Sequence, residues 1–174
     1  MKVFSIIILL TLTSAYLLGQ ESDQDTNNFA DGFRHQFGAA AGFSTGYGLS
    51  YRYWPGNWGI QGTFAPYYDN TAGPTISLGI TGLRLIEDNG WSRFFVYLGN
   101  HLHIDSDSDG SYDPAQEPEY RQITTYVLGV GPGIEFLIKR RLGINLMFGV
   151  ALFTDSDGYV MTHLTGETGI YYRF

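Results

Sequence analysis

LGINLMFGVAL, residues 142–152, is the stretch on which the fold turns. Leu142, Ile144, Leu146, Phe148, Val150 and Leu152 fall on one side of a period-two repeat. Gly143, Asn145, Met147, Gly149 and Ala151 fall on the other. A helix of period 3.6 would scatter these residues around its circumference, whereas a strand sorts them onto two unlike faces. One face is large and apolar, the other small and mixed.

The same sorting extends in both directions. Downstream, Val160, Thr162, Leu164, Ile170, Tyr172 and Phe174 oppose His163, Thr165, Glu167, Gly169 and Arg173. Upstream, Phe37, Ala39, Ala41 and Phe43 oppose Gln36, Gly38 and Gly42; Tyr47, Leu49, Tyr51 and Tyr53 oppose Gly48, Ser50 and Arg52. Ile76, Leu78 and Ile80 oppose Ser77, Gly79 and Thr81, and Phe94, Val96 and Leu98 oppose Arg93 and Gly99. Arg84 and Asn100 fit neither side cleanly, which a bulge near either would explain. Eight strands follow, at 34–44, 46–54, 58–68, 75–86, 91–104, 122–138, 141–153 and 160–174. Most have about the 9–11 residues that a tilted membrane strand needs. Tight turns fall at Pro55-Gly56-Asn57, at Glu87 to Gly90 and at Lys139-Arg140; the connection from Asp105 to Arg121 is long and acidic.

Composition bears on which face meets solvent. The chain holds 23 Gly, 13 Tyr, 12 Phe and 3 Trp against 10 Lys plus Arg. Residues 1–20 read as a secretory signal peptide, with one Lys before an apolar run from Val3 to Leu10 and a cut near Gly19 or Gln20. Residues 21–33 read as a flexible acidic lead-in, and 34–174 as one domain. Beyond the signal the only lysine is Lys139, too few to solubilise a surface in the usual way. No cysteine supports a disulfide framework or lipid anchor, and the net charge of −7 argues against nucleic acid. No apolar run after residue 20 approaches the ~20 residues of a membrane helix. A lipocalin-like soluble barrel would carry charges outside and apolar residues within; here the apolar face is nearly free of charge. The expectation is all-β: a closed antiparallel eight-stranded transmembrane β-barrel, an up-and-down meander, with a small polar interior.

The pattern resembles the small eight-stranded outer-membrane barrels of Gram-negative bacteria, of the outer-membrane protein A, X and W type. One motif carries the resemblance beyond pattern: ETGIYYRF, Glu167 to Phe174. That family's last strand bears a polar-x-Gly-x-x-aromatic/apolar-x-aromatic signal read by the barrel assembly machinery, and Glu167, Gly169, Tyr172 and Phe174 fill its places. The resemblance implies an outer-membrane location, a monomer, contact with outer-membrane lipid and lipopolysaccharide, and assembly-machinery recognition. Arg52, Arg93, Glu135, Glu167 and Arg173 then read as a buried polar network, which argues against a wide channel.

Asp105 to Asp113 reads DSDSDGSYD, spaced as in EF-hand-like calcium loops. Asp105, Asp107, Asp109 and Asp113 would supply carboxylates, Ser111 a carbonyl and Gly110 the turn. The twelfth place holds Gln116, with Glu117 one later, so the match is incomplete; a solvated acidic loop is the alternative. DSDG recurs at Asp155 to Gly158. His101 and His103 share a strand face with Asp105 and suit either a transition metal or water. With Ser106 or Ser108 they also suggest a lipid A-modifying enzyme. The expectation is a non-enzymatic barrel whose acidic loops serve surface binding, adhesion or membrane integrity, with calcium as the candidate cofactor. A lipid-modifying enzyme and a narrow conduit are its rivals.

Overall fold

The computed structural model describes residues 32–69, 73–108, 120–154 and 160–174. Its strands are β1 (His35–Ala41), β2 (Gly48–Tyr53), β3 (Trp58–Asp69), β4 (Gly73–Asp88), β5 (Ser92–Ser108), β6 (Tyr120–Ile138), β7 (Leu142–Thr154) and β8 (Val160–Arg173). Each pairs antiparallel with the next, and β8 returns to β1 with Arg173 opposite Gln36, closing the barrel in chain order. Phe174 exchanges both backbone hydrogen bonds with His35, so the closing ladder runs one residue past β8. Closure abolishes sheet edges and pairs backbone groups that lipid could not satisfy.

The faces sort as the alternation requires. On β7, Ile144, Leu146, Phe148, Val150 and Leu152 point out, while Gly143, Asn145, Met147 and Ala151 are buried. Leu164 is 89% exposed, and Phe148 and Leu49 are each 62% exposed. In water each such side chain would forgo about 1.5–3 kcal/mol of burial, and dozens line this wall. The polarity is that of a barrel solvated by lipid.

Three details differ from the sequence expectation. β1 and β2 are shorter than 34–44 and 46–54, because Ser44 and Thr45 leave the wall and lie fully buried inside. A register shift does occur beside Arg84, between Leu85 and Glu87, but Arg84 and Asn100 simply occupy outward positions and no shift falls near Asn100. Third, the interior is not uniformly small and polar. At the seam end, where β1 begins and β8 ends, Trp54, Leu83, Leu85, Phe95, Tyr97 and Met147 form an apolar cluster. A narrow barrel must be filled by its own side chains, and large rings fill it where glycine makes room. A Cβ on Gly133 would stand 2.4 Å from the Phe95 ring.

Candidate functional site

The charged lumen residues come from inward positions on β2, β5, β6 and β8. Arg52, Arg93, Glu135, Glu167 and Arg173 are all buried, as the alternation requires. Glu135 takes the Arg52 guanidinium at 3.3 Å and stands 3.8 Å from that of Arg93. Gln36 also donates to Glu135, at 3.4 Å. Arg52 donates through Nε to Gln61 at 2.6 Å and lies over the Tyr171 ring at 4.1 Å. Arg93 donates to Asp88 at 2.8 Å, and Arg173 to the Arg140 carbonyl at 3.0 Å. Asp88, which the sequence pattern assigns to the turn at Glu87 to Gly90, is a further partner; it stands directly opposite Arg93 across the β4–β5 hairpin. Stripping one partner from such a desolvated pair costs about 3–5 kcal/mol. This layer is a cross-brace.

Glu167 does different work, nearer the far end. Its Oε1 accepts from the Ser44 backbone N–H at 3.1 Å, from the Ser44 hydroxyl, and from Thr165 at 3.2 Å. Residues 42–47, the connection between β1 and β2, are thereby drawn into the lumen. The wall is prepared for them. Gly79, Gly99 and Gly129 face inward on β4, β5 and β6, and a Cβ on each would stand 1.9 Å from Thr45 O, 2.7 Å from Ser44 O and 2.1 Å from Ser44 Oγ respectively. The alternation alone puts 42–44 and 46–47 on the wall, with only Thr45 between strands; glycines at inward positions on three adjacent strands are the signal that something packs there. Phe43 and Tyr47, expected on the lipid face, instead lean over the lumen mouth, Phe43 edge-on to Phe153 and Tyr47 beside His101 and His103.

His101 is buried beneath this tucked segment. Its Nδ1 lies 2.9 Å from the Phe43 carbonyl and its Nε2 2.9 Å from Ser77 Oγ. A carbonyl only accepts, so in a neutral ring Nδ1 carries the proton and Nε2 accepts from Ser77. Ser77 in turn accepts the Tyr47 N–H at 3.1 Å. His103 lies 3.2 Å from the Tyr47 hydroxyl. Asp105 takes the Thr75 hydroxyl at 2.7 Å. Among the described residues, no three His, Asp or Glu side chains converge as a metal site.

The residues proposed for calcium are only partly within the described chain. Asp105 and Asp107 belong to β5, which runs to Ser108 and pairs Asp107 with Arg121; Asp109, Ser111 and Asp113 lie outside the described residues, as do the signal peptide, most of the lead-in and the second DSDG. The motif in β8 is fully placed. Glu167 and Gly169 point inward, with Tyr172 and Phe174 outward. Gly169 has a packing reason of its own, since a Cβ there would stand 2.6 Å from the Tyr171 ring. Phe174 stacks on His35 at 5.8 Å.

The sequence matches no described protein family and no curated protein. Among solved structures it is similar to the N-terminal β-barrel domain of Pseudomonas aeruginosa OprF, at 12% identity and a TM-score of 0.53, over 81% of this chain and 96% of that one. Neisserial surface protein A gives 14% identity and a TM-score of 0.49, over 81% and 95%. Ail of Yersinia pestis gives 19% and 0.46, over 82% and 95%. The OprF comparison supports what the pairing and inverted polarity establish. By strand number, closure and chain order, this protein has the fold of the small eight-stranded outer-membrane β-barrels.

Proposed function

We propose that this protein is a monomeric integral barrel of the outer membrane, exported on the signal peptide of residues 1–20. Its seam end faces the periplasm and its far end the outside. It works through its acidic outer connections in surface binding, adhesion or membrane integrity, with outer-membrane lipid, lipopolysaccharide and the assembly machinery as partners. The observation that carries this reading is the combination of an apolar outer wall with a lumen occupied by its own loop and a charged brace. That combination favours a structural and surface role over a conduit. Calcium held by Asp105, Asp107, Asp109, Ser111 and Asp113 is part of the proposal.

One contact favours a second reading. Ser77 and His101 stand as a nucleophile and base would, which suits a lipid-modifying enzyme. Against it, Ser77 is buried, already accepts the Tyr47 N–H, and His101 is oriented by a carbonyl rather than a carboxylate. Folded in detergent, the protein should show β-type circular dichroism, migrate differently before and after boiling, and give no steady conductance in planar bilayers. A stable monomer in plain buffer would refute the membrane assignment; steady conductance would favour the conduit. Acyl release from purified lipid A, lost on His101→Ala, would move the assignment to the enzyme.

A further inference from the structure

The two rims carry opposite charge. Between Asp105 and Arg121 the sequence places six carboxylates against one arginine. At the seam end Arg34, Lys139, Arg140 and Arg141 are all exposed. Arg140 and Arg141 are tied to β8, through Arg173 to the Arg140 carbonyl and through Arg141 to the Tyr172 hydroxyl at 2.8 Å. Arg34 joins the same sector, since its carbonyl accepts from Trp54 while the next residue, His35, pairs with Phe174. Of the side-chain carboxylates at this end, Asp88 is engaged by Arg93 and Glu87 is exposed. Arg141 stands against the outward Tyr172 ring, and Arg34 is one residue from the backbone partner of Phe174; both rings are about half exposed. Farther round, Arg84 points outward from β4 with its guanidinium over the Trp58 ring at 4.5 Å. That is how a cation at the edge of an apolar wall reaches toward the headgroup layer.

The turn adds a second, conformational observation. Lys139 and Arg140 both have positive φ, 49° and 59°. These are the φ signs of a type I′ turn, which Asn-Gly fills at least cost. For side chains with a Cβ the left-handed conformation is unfavourable at each position. Two cations stand where the backbone would prefer neither.

We propose that this rim is a docking surface for anionic phospholipid headgroups of the periplasmic leaflet, with Lys139, Arg140, Arg141 and Arg34 meeting the phosphate and the Tyr172–Phe174 aromatics setting the depth. The inference rests on the membrane reading above. Lipid is the occupant because the rim borders the apolar wall directly, so headgroups are the anions held at that level. Each cation near an anionic surface contributes about a fivefold preference, screened by salt.

The test uses the full exported chain, including the acidic residues of its lead-in, folded into phosphatidylcholine nanodiscs. Spin-labelled phosphatidylglycerol and spin-labelled phosphatidylcholine report the lipid held at the protein surface. The parent should favour the anionic probe by about tenfold or more at low salt, and less so as salt rises. Lys139→Asn with Arg140→Gly supplies a relaxed turn and removes two charges. It should resist urea at least as well as the parent while its preference falls by about fivefold or more. An undiminished preference in the variant, or one unmoved by salt, overturns the proposal. So does a folded parent with no preference, the outcome expected if the rim instead serves an acidic periplasmic protein. Failure of the parent to enter nanodiscs at all would count against the membrane reading instead.

Discussion

A methyl group on Gly79 would stand 1.9 Å from a backbone oxygen of the tucked segment, whereas one on Gly62, which faces outward, would meet nothing within 4 Å. The two glycines are chemically identical and structurally opposite. Backbone cannot yield as a flexible side chain can, so Gly79→Ala should expel residues 43–46 from the lumen and leave Glu167 without the Ser44 donors. A buried acceptor deprived of its donors costs about 1–3 kcal/mol. The readout is a cysteine at Thr45, which is fully buried in the parent. It should resist a water-soluble maleimide in the parent and in Gly62→Ala, and react in Gly79→Ala. Equal protection in all three would mean that the segment is held by something other than its glycine seat. The sequence made Gly79 legible as small and inward-facing. It did not show what the space was for, because the atoms that fill it come from a loop more than thirty positions away.

Strand type was legible from period two alone, but strand ends were not. GFSTGY, residues 42–47, continues the alternation of β1, and only three-dimensional packing diverts it inward. At the other extreme, Asp105 to Ser108 looks like loop by composition, since Asp and Ser are poor strand formers. Yet β5 continues through it, because a hairpin extends wherever the facing strand supplies partners, here Tyr120 to Ile123. With 17 and 19 residues, β5 and β6 exceed the roughly 9–11 needed to cross lipid, and the surplus takes in Asp105 and Asp107. If calcium is its ligand, titration calorimetry should give a dissociation constant on the order of 10⁻⁴–10⁻³ M. Asp107→Asn with Asp109→Asn should remove the heat while leaving the β-type circular dichroism unchanged. Equal heat in parent and variant would reduce the hairpin to a solvated acidic projection.

At the scale of the whole molecule, closure depends on β8 finding β1, and the residues that close it are those of ETGIYYRF. Two of the four motif positions are tied to the packing of the lumen. Glu167 holds the tucked segment and Gly169 makes room for the Tyr171 ring, so substitutions there would confound recognition with packing. Phe174 separates the two. Its ring points outward, 53% exposed, against His35, and its ladder bonds are made by backbone atoms that any residue supplies. A charge at this level of a barrel costs only about 0–1 kcal/mol of folding free energy. Phe174→Asp should therefore refold from urea into detergent micelles nearly as well as the parent. If the aromatic is what the assembly machinery reads, the same variant should fail to accumulate in the outer membrane of cells. The two measurements must diverge. Normal accumulation would dismiss ETGIYYRF as an assembly signal and leave it as the closing strand of a barrel, whereas failure in both would show that Phe174 packs more tightly than its exposure implies.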